Sequence, residues 1–254
     1  MPEKQVAIIT GASNGIGLAT VNAFLSSGEW NVFGVDLSAA PTSVAGANFH
    51  FLQINITQED APAKIVSACQ ASFGSRIDAL LNVAGVMDKN AGVDNLLDED
   101  WDRIIAVNLT APVRLMREVV NVMKEQRSGC IVNVASKAGM SGAAAGVAYT
   151  ASKHGLVGAT KNTAWFYKEE GIRCNVICPG SVVTNILSNS GSDLSKMDKF
   201  GTFKLKPIVE MHRPNITDGL DPSCPANLVL FLASDAAKGV NGAIVPIDNA
   251  WSTI

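Results

Sequence analysis

Short apolar runs that alternate with helical segments constrain this chain more than any other feature. The runs fall at residues 6–10, 31–36, 49–54, 77–82, 129–135, 172–178 and 242–247. Each is bounded by glycine, proline or polar residues, the pattern of a buried strand. Between them, residues 14–28, 60–73, 98–126, 148–170 and 226–234 read as helices, and Gly171 is placed to end the fourth. Strands joined through helices run parallel with right-handed crossovers. A parallel sheet in turn needs helices over both faces. The pattern therefore predicts an α/β fold, a single doubly wound domain over residues 1–254 with a seven-stranded, mainly parallel sheet and helices on both faces. Residues 181–225 break the rhythm, being rich in Ser, Asp, Lys and Pro with little periodicity. An insertion there, at about 185–225, is where a lid or substrate loop is expected.

Composition fits such a core. Hydrophobic residues make up 47 % of the 254, aromatic residues 6 % and charged residues 17 %, which suits packing by aliphatic side chains. Twenty basic residues face 23 acidic ones for a net charge of −3, with no basic run, so there is no nucleic-acid footprint. The apolar stretches are short and broken by Gly, Asn or Ser, which argues against a membrane span. Met1 to Gln5 lack the segments of a secretory signal, so a cytoplasmic protein is expected. Cys69, Cys130, Cys174, Cys178 and Cys224 are odd in number and scattered. No second ligand pair accompanies Cys174 and Cys178, so they read as small buried residues, and no metal is expected.

The first run leads into Thr10-Gly11-Ala12-Ser13-Asn14-Gly15-Ile16-Gly17 and then a helix. Gly11 permits a tight turn, Gly15 lets the backbone approach a pyrophosphate, and Gly17 allows close helix–strand packing. The helix then offers N–H groups and a partial positive charge to phosphates. Asp36 ends the second run, where a carboxylate accepts hydrogen bonds from the adenosine ribose hydroxyls and repels a 2′-phosphate. Asn14 and Leu37, where a basic residue could greet that phosphate, are uncharged. These residues favour NAD(H) over NADP(H).

Ser136 follows the fifth run; Tyr149 stands 13 residues on and Lys153 four beyond it. Positions i and i+4 share a helix face, so Tyr149 and Lys153 can reach one cleft. A serine at a strand's carboxyl end can reach it too. These residues, with the glycine turn, Asn82-Val83-Ala84-Gly85, Asn108, Pro179-Gly180 and the segment from Leu230 to Asp235, resemble the short-chain dehydrogenase/reductase family in order and spacing. The likeness spans nearly the whole chain and implies a Rossmann-type fold. The implied reaction is hydride transfer between NAD(H) and a secondary alcohol or ketone.

In that likeness Tyr149 is the general acid or base, its pKa lowered by Lys153 and the oxidised nicotinamide. Lys153 holds the nicotinamide ribose, Ser136 donates to the substrate oxygen, and Asn108 holds a water in a proton relay. Asn55 and Ile56 lie beside the adenine, with an amide where the family has an acid. Asn82, Ala84 and Gly85 form a wall of the cofactor site. Pro179, Gly180, Val182 and Thr184 belong to the nicotinamide segment, Val182 bonding the carboxamide through its backbone and Thr184 through its hydroxyl. The family's closing Asp-Gly-Gly is Asp248-Asn249-Ala250 here, which puts the local turn in question.

The expected substrate pocket takes in Met87, residues 137–141, Tyr149, Ser181 and the 185–220 segment, with Met140, Ile186 and Leu187 making it apolar. A hydrophobic alcohol or ketone suits it. Lys137 is expected to point to solvent, with contact to an anionic or phenolic group as the alternative. His154 reads as a packing or interface residue, His212 as a solvent-facing loop residue and His50 as a strand or loop residue. The long helices have apolar residues on more than one side, and the resemblance implies a homotetramer or homodimer. Three other readings stand beside a dehydrogenase: an NADPH-dependent ketoreductase, a non-catalytic NAD-binding regulator, and a lyase or isomerase on the same fold.

Overall fold

The computed structural model describes residues 4–184, 186, 197–211 and 219–253. Leu187, His212 and much of the expected 185–225 insertion lie outside the described residues. The strands are β1 (Gln5–Thr10), β2 (Trp30–Asp36), β3 (Phe49–Gln53), β4 (Ala79–Asn82), β5 (Gly129–Val134), β6 (Ile172–Pro179) and β7 (Ile244–Ile247). The helices are α1 (Gly15–Ser27), α2 (Ala61–Phe73), α3 (Asp98–Ile105), α4 (Ala111–Gln126), α5 (Val147–Phe166), α6 (Lys199–Met211) and α7 (Ser223–Ala233).

All seven strands join one sheet in the order β3-β2-β1-β4-β5-β6-β7, and every pairing is parallel. The expected sheet is thus observed, and it is wholly parallel. Alternation along the strands feeds two apolar layers. Val6 and Ile8 of β1 join Ile65, Leu115, Val119 and Met123 beneath α2 and α4. Ala7 and Ile9 join Val21, Phe24, Val229 and Leu232 beneath α1 and α7. The order reverses between β1 and β4, which opens a crevice beyond their carboxyl ends, where ligands of such sheets bind.

Two departures from the sequence reading matter. The helix expected over 98–126 is two helices, α3 and α4, joined by one π-helical turn, Ala106–Thr110, in which the Ala111 N–H reaches back to the Ala106 carbonyl. Pro112 sits in the first turn of α4, where its missing N–H does no harm. The second departure is α6, a full helix within the stretch read as aperiodic. Among the described residues, no helix is long and apolar enough to cross a membrane.

The altered glycine motif near the C-terminus keeps a left-handed turn: Asn249 and Ala250 have φ of 51° and 66°. Asn tolerates this region, but an alanine β-carbon there meets the adjoining carbonyl at a cost of about 1–2 kcal/mol. Ala250→Gly is therefore expected to stabilise the protein by about 1 kcal/mol. A denaturant midpoint that falls in this variant would show that the turn is not strained.

Candidate active site

The glycine turn is as tight as its residues require. A β-carbon on Gly17 would lie 1.9 Å from the Gly11 carbonyl oxygen, and one on Gly11 would lie 3.0 Å from Ala84 Cα. Gly15 has φ of 53° and faces the Thr184 methyl. Asn14 gives α1 no side-chain cap, so the first-turn N–H groups stay open to a ligand. Behind the turn, the Thr10 hydroxyl accepts the N–H groups of Val83 (3.0 Å) and Ala84 (3.1 Å), tying the β4 loop to β1.

A cleft runs from here along the sheet edge. Gly11, Asn14, Gly15, Ile16 and Gly17 line one part of it, and Asp36, Leu37, Asn55 and Ile56 another. Ala84, Gly85 and Thr184 line the rest, with Val83 of the same motif, Ile186, which was expected in the substrate pocket, and Ser38, Ile54, Val86 and Val107, which were not singled out from sequence. Asp36 is fixed by two backbone donors, Ser13 N–H on Oδ2 (3.0 Å) and Ser38 N–H on Oδ1 (2.9 Å). Ser13 therefore serves Asp36 instead of lining the cleft. The Asn55 oxygen takes both the N–H and the hydroxyl of Thr57.

Other expected contacts are placed differently. Asn82 is buried and donates to Asn133 Oδ1 (2.9 Å), while Asn133 donates to Thr160 Oγ1 (2.8 Å), a chain that fastens β4 and β5 to α5. Pro179 ends β6, Gly180 follows it, and neither lines the cleft; Gly180 packs on Asp248. Val182 bridges Leu220 through the Ser181 carbonyl and the Val183 N–H, which leaves both backbone groups of Val182 outside the bridge.

Ser136, Tyr149, Lys153 and Asn108 do come together at the inner end of the cleft. A β-carbon on Gly85 would lie 3.4 Å from both Lys153 Nζ and Asn108 Oδ1. The Ser136 hydroxyl is near enough to the Tyr149 phenol to favour its ionised form. Lys153 is 3 % exposed; its Nζ donates to the Val134 carbonyl (3.0 Å) and lies 5.5 Å from the centre of the Tyr149 ring. No carboxylate pairs with it among the described residues. Asn108, in the π-helical turn, accepts from Val86 N–H (2.9 Å), donates to Val86 O (2.9 Å) and reaches Ser152 Oγ (3.2 Å). Its side chain is thus tied to the β4 loop and to α5.

Burial pushes the Lys153 ammonium down to about 8. Burial likewise pushes the Tyr149 phenol up to about 12, against the Ser136 hydrogen bond and with help from Asp88 and Cys178. The protein's own groups thus act opposite to the expected lowering, because the cost of a buried phenolate outweighs the help of the Ser136 hydroxyl. Lys137 also departs from expectation: it is 7 % exposed and packed into the turn Lys137–Gly139. His154 is exposed, with Nδ1 3.0 Å from the Thr150 carbonyl, and His50 is an exposed β3 residue against Phe73.

The family model for short chain dehydrogenases matches residues 5–195. The chain belongs to the short-chain dehydrogenase/reductase family. A short chain dehydrogenase of Penicillium rubens is 54 % identical over 252 residues, covering 98 % of this chain and 97 % of the relative. Asnovolin H dehydrogenase of Aspergillus novofumigatus is 52 % identical, with the same coverage. Levodione reductase superposes with a TM-score of 0.85 at 30 % identity over 98 % of both chains. 4-Hydroxyisoleucine dehydrogenase complexed with NADH gives 0.82 at 28 %, over 99 % of this chain and all of the other. The family's members are oxidoreductases that use a nicotinamide cofactor, and the glycine turn and open helix terminus fit such a dinucleotide.

The ammonium supplies a test of the site's electrostatics. Lys153 falls from its ordinary 10.5 to about 8 in the fold, so between those values the unfolded chain binds the extra proton and stability rises with pH. Wild type should therefore gain on Lys153→Met, in denaturant titrations without cofactor, as pH climbs from 8 towards 10.5. A difference that stays flat would mean that the ammonium is not desolvated.

Proposed function

We propose that the chain interconverts an apolar secondary alcohol and its ketone by NAD(H)-dependent hydride transfer, with Tyr149 moving the proton. One observation carries this reading: a buried phenol beside a serine hydroxyl and covered by a buried ammonium, at the inner end of a cleft whose outer end is a fixed carboxylate. When bound, the nicotinamide accepts or gives the hydride. Ser136 orients the substrate oxygen and donates a hydrogen bond to the charge that develops there. Tyr149, held protonated by burial, gives its proton to that oxygen in reduction and takes it back in oxidation. Lys153 keeps two N–H donors beyond its Val134 bond, enough for the two hydroxyls of the nicotinamide ribose.

Asp36 supports NAD over NADP. Its carboxylate is locked by Ser13 and Ser38, and among the described residues no lysine or arginine lines the cleft to meet a 2′-phosphate. Bound NADH in a neighbour of the same family agrees with this choice. Val86, Met87, Leu96 and Ala144 pack against the apolar cluster that contains Tyr149 and favour an apolar substrate. Exposed Trp165 and Phe166 at the end of α5 and Val113 on α4 favour a homo-oligomer.

Two measurements test the reading. Tyr149→Phe should bind NADH as wild type does and turn over a panel of alcohols and ketones about 10²–10⁴-fold more slowly. Undiminished turnover would assign the proton to another residue. Asp36→Ser should erode the preference for NADH over NADPH in cofactor titrations, and a wild type that prefers NADPH would overturn the role of Asp36.

A further inference from the structure

We propose that Asp88, in the loop after β4, is the positioning residue for Tyr149: its carboxylate grips the first turn of α5 and so sets where the phenol stands. The proposal rests on the reading that Tyr149 moves the proton. Asp88 is 2 % exposed, and no lysine or arginine pairs with it among the described residues. Its Oδ2 accepts the Tyr149 N–H (2.9 Å), and its Oδ1 accepts those of Gly146 (3.2 Å) and Asn90 (3.0 Å).

Helix α5 cannot make this cap itself. The residue before it is Gly146, which has no side chain, and its first turn holds no acid. A β-carbon on Gly146 would lie 2.5 Å from Asp88 Oδ2, so the glycine is the space the carboxylate needs. The Val147 N–H goes to the Ala91 carbonyl (3.0 Å), so the loop takes three N–H groups at the start of α5, among them that of Tyr149 itself. A buried carboxylate is also matched to the positive end of a helix.

The loop that carries Asp88 is braced on its other side. Lys89 pairs with Asp100 of α3 (2.7 Å), and Arg103 donates to the Met87 carbonyl (3.2 Å). The insertion helix docks there as well: the Asp198 N–H reaches the Lys89 carbonyl (2.8 Å), and Asn90 reaches Thr202 (3.5 Å). Asp88 is thus fixed before it fixes Tyr149. A plain helix cap would stabilise α5 and nothing more; a positioning residue must be felt at the phenol. The groups that act on the phenol are Asp88 from the loop, Ser136 after β5 and Cys178 on β6, with Lys153 of α5 over its ring. Of these only Asp88 is a carboxylate, so removing its charge should ease ionisation of the phenol.

The chain has two tyrosines, Tyr149 and Tyr167, so protein grown on 3-fluorotyrosine gives two fluorine resonances. Their assignment follows from the signal that Tyr149→Phe loses. In Asp88→Asn the Tyr149 resonance should move and titrate at lower pH, while that of Tyr167 stays in place. With it, kcat should fall about 10–100-fold while the NADH dissociation constant holds, the signature of a displaced reacting group. Asp88→Ser, whose hydroxyl still accepts one N–H, should show the same fluorine changes and serves if the amide variant does not fold. A Tyr149 signal and titration identical to wild type, with only the melting temperature lowered, would overturn the proposal. The fluorine comparison needs no turnover, so a wild type inert towards every alcohol and ketone would sink the dehydrogenase reading and leave the Asp88 result standing on its own.

Discussion

The site is built around an ammonium kept from water that pairs with no carboxylate among the described residues. A buried charge is held only when other dipoles compensate it, and Lys153 has one carbonyl and the face of one aromatic ring. Such a charge draws electronegative groups into the space next to it. It also demands that the helix carrying it cannot drift. Helix α5 is accordingly pinned along its length. The β4 loop holds its start, the Asn82–Asn133–Thr160 chain holds its middle, and Gly171, with φ of 74°, turns the chain away after it.

The sheet supplies the frame for that helix. Reversal of strand order between β1 and β4 creates the crevice. Most of the residues that face it arrive on loops after β1, β2, β3, β4 and β6, all at the carboxyl edge of parallel strands. Thr10 shows how closely these loops are knit, since one hydroxyl ties the glycine turn to the wall that ends at Gly85. Gly85 in turn is the place where the dinucleotide cleft meets Lys153 and Asn108.

Much of this was legible in the sequence because its signals are local. Apolar runs ended by glycine marked the strands, and glycine spacing marked the turn. The i, i+4 relation of Tyr149 and Lys153 survives in any helix. What was not legible depends on tertiary contact. The break at Ala106–Thr110 leaves no glycine or proline at its centre, and Asn108 inside it bonds a loop 22 residues away in sequence. Asn82 sits at a strand end, yet its side chain turns inward to a polar partner on β5. Asp88 lies in an unremarked loop, and its role depends on a glycine 58 residues further on. The sign of the Tyr149 shift depends on burial, which no spacing reveals.

The seat of the insertion helix carries a consequence for exchanging parts between relatives. Gly201 presses against the backbone of Asn90 so closely that a β-carbon there would lie 1.8 Å from the Asn90 carbonyl oxygen. Shape at this junction is set by main chain on both sides, and side-chain repacking cannot absorb a misfit. A transplanted insertion that lacks glycine at this point would either stand off from the body of the protein or drag the β4 loop with it. The chemistry of the inserted segment is therefore freer to diversify than the point where it meets the β4 loop.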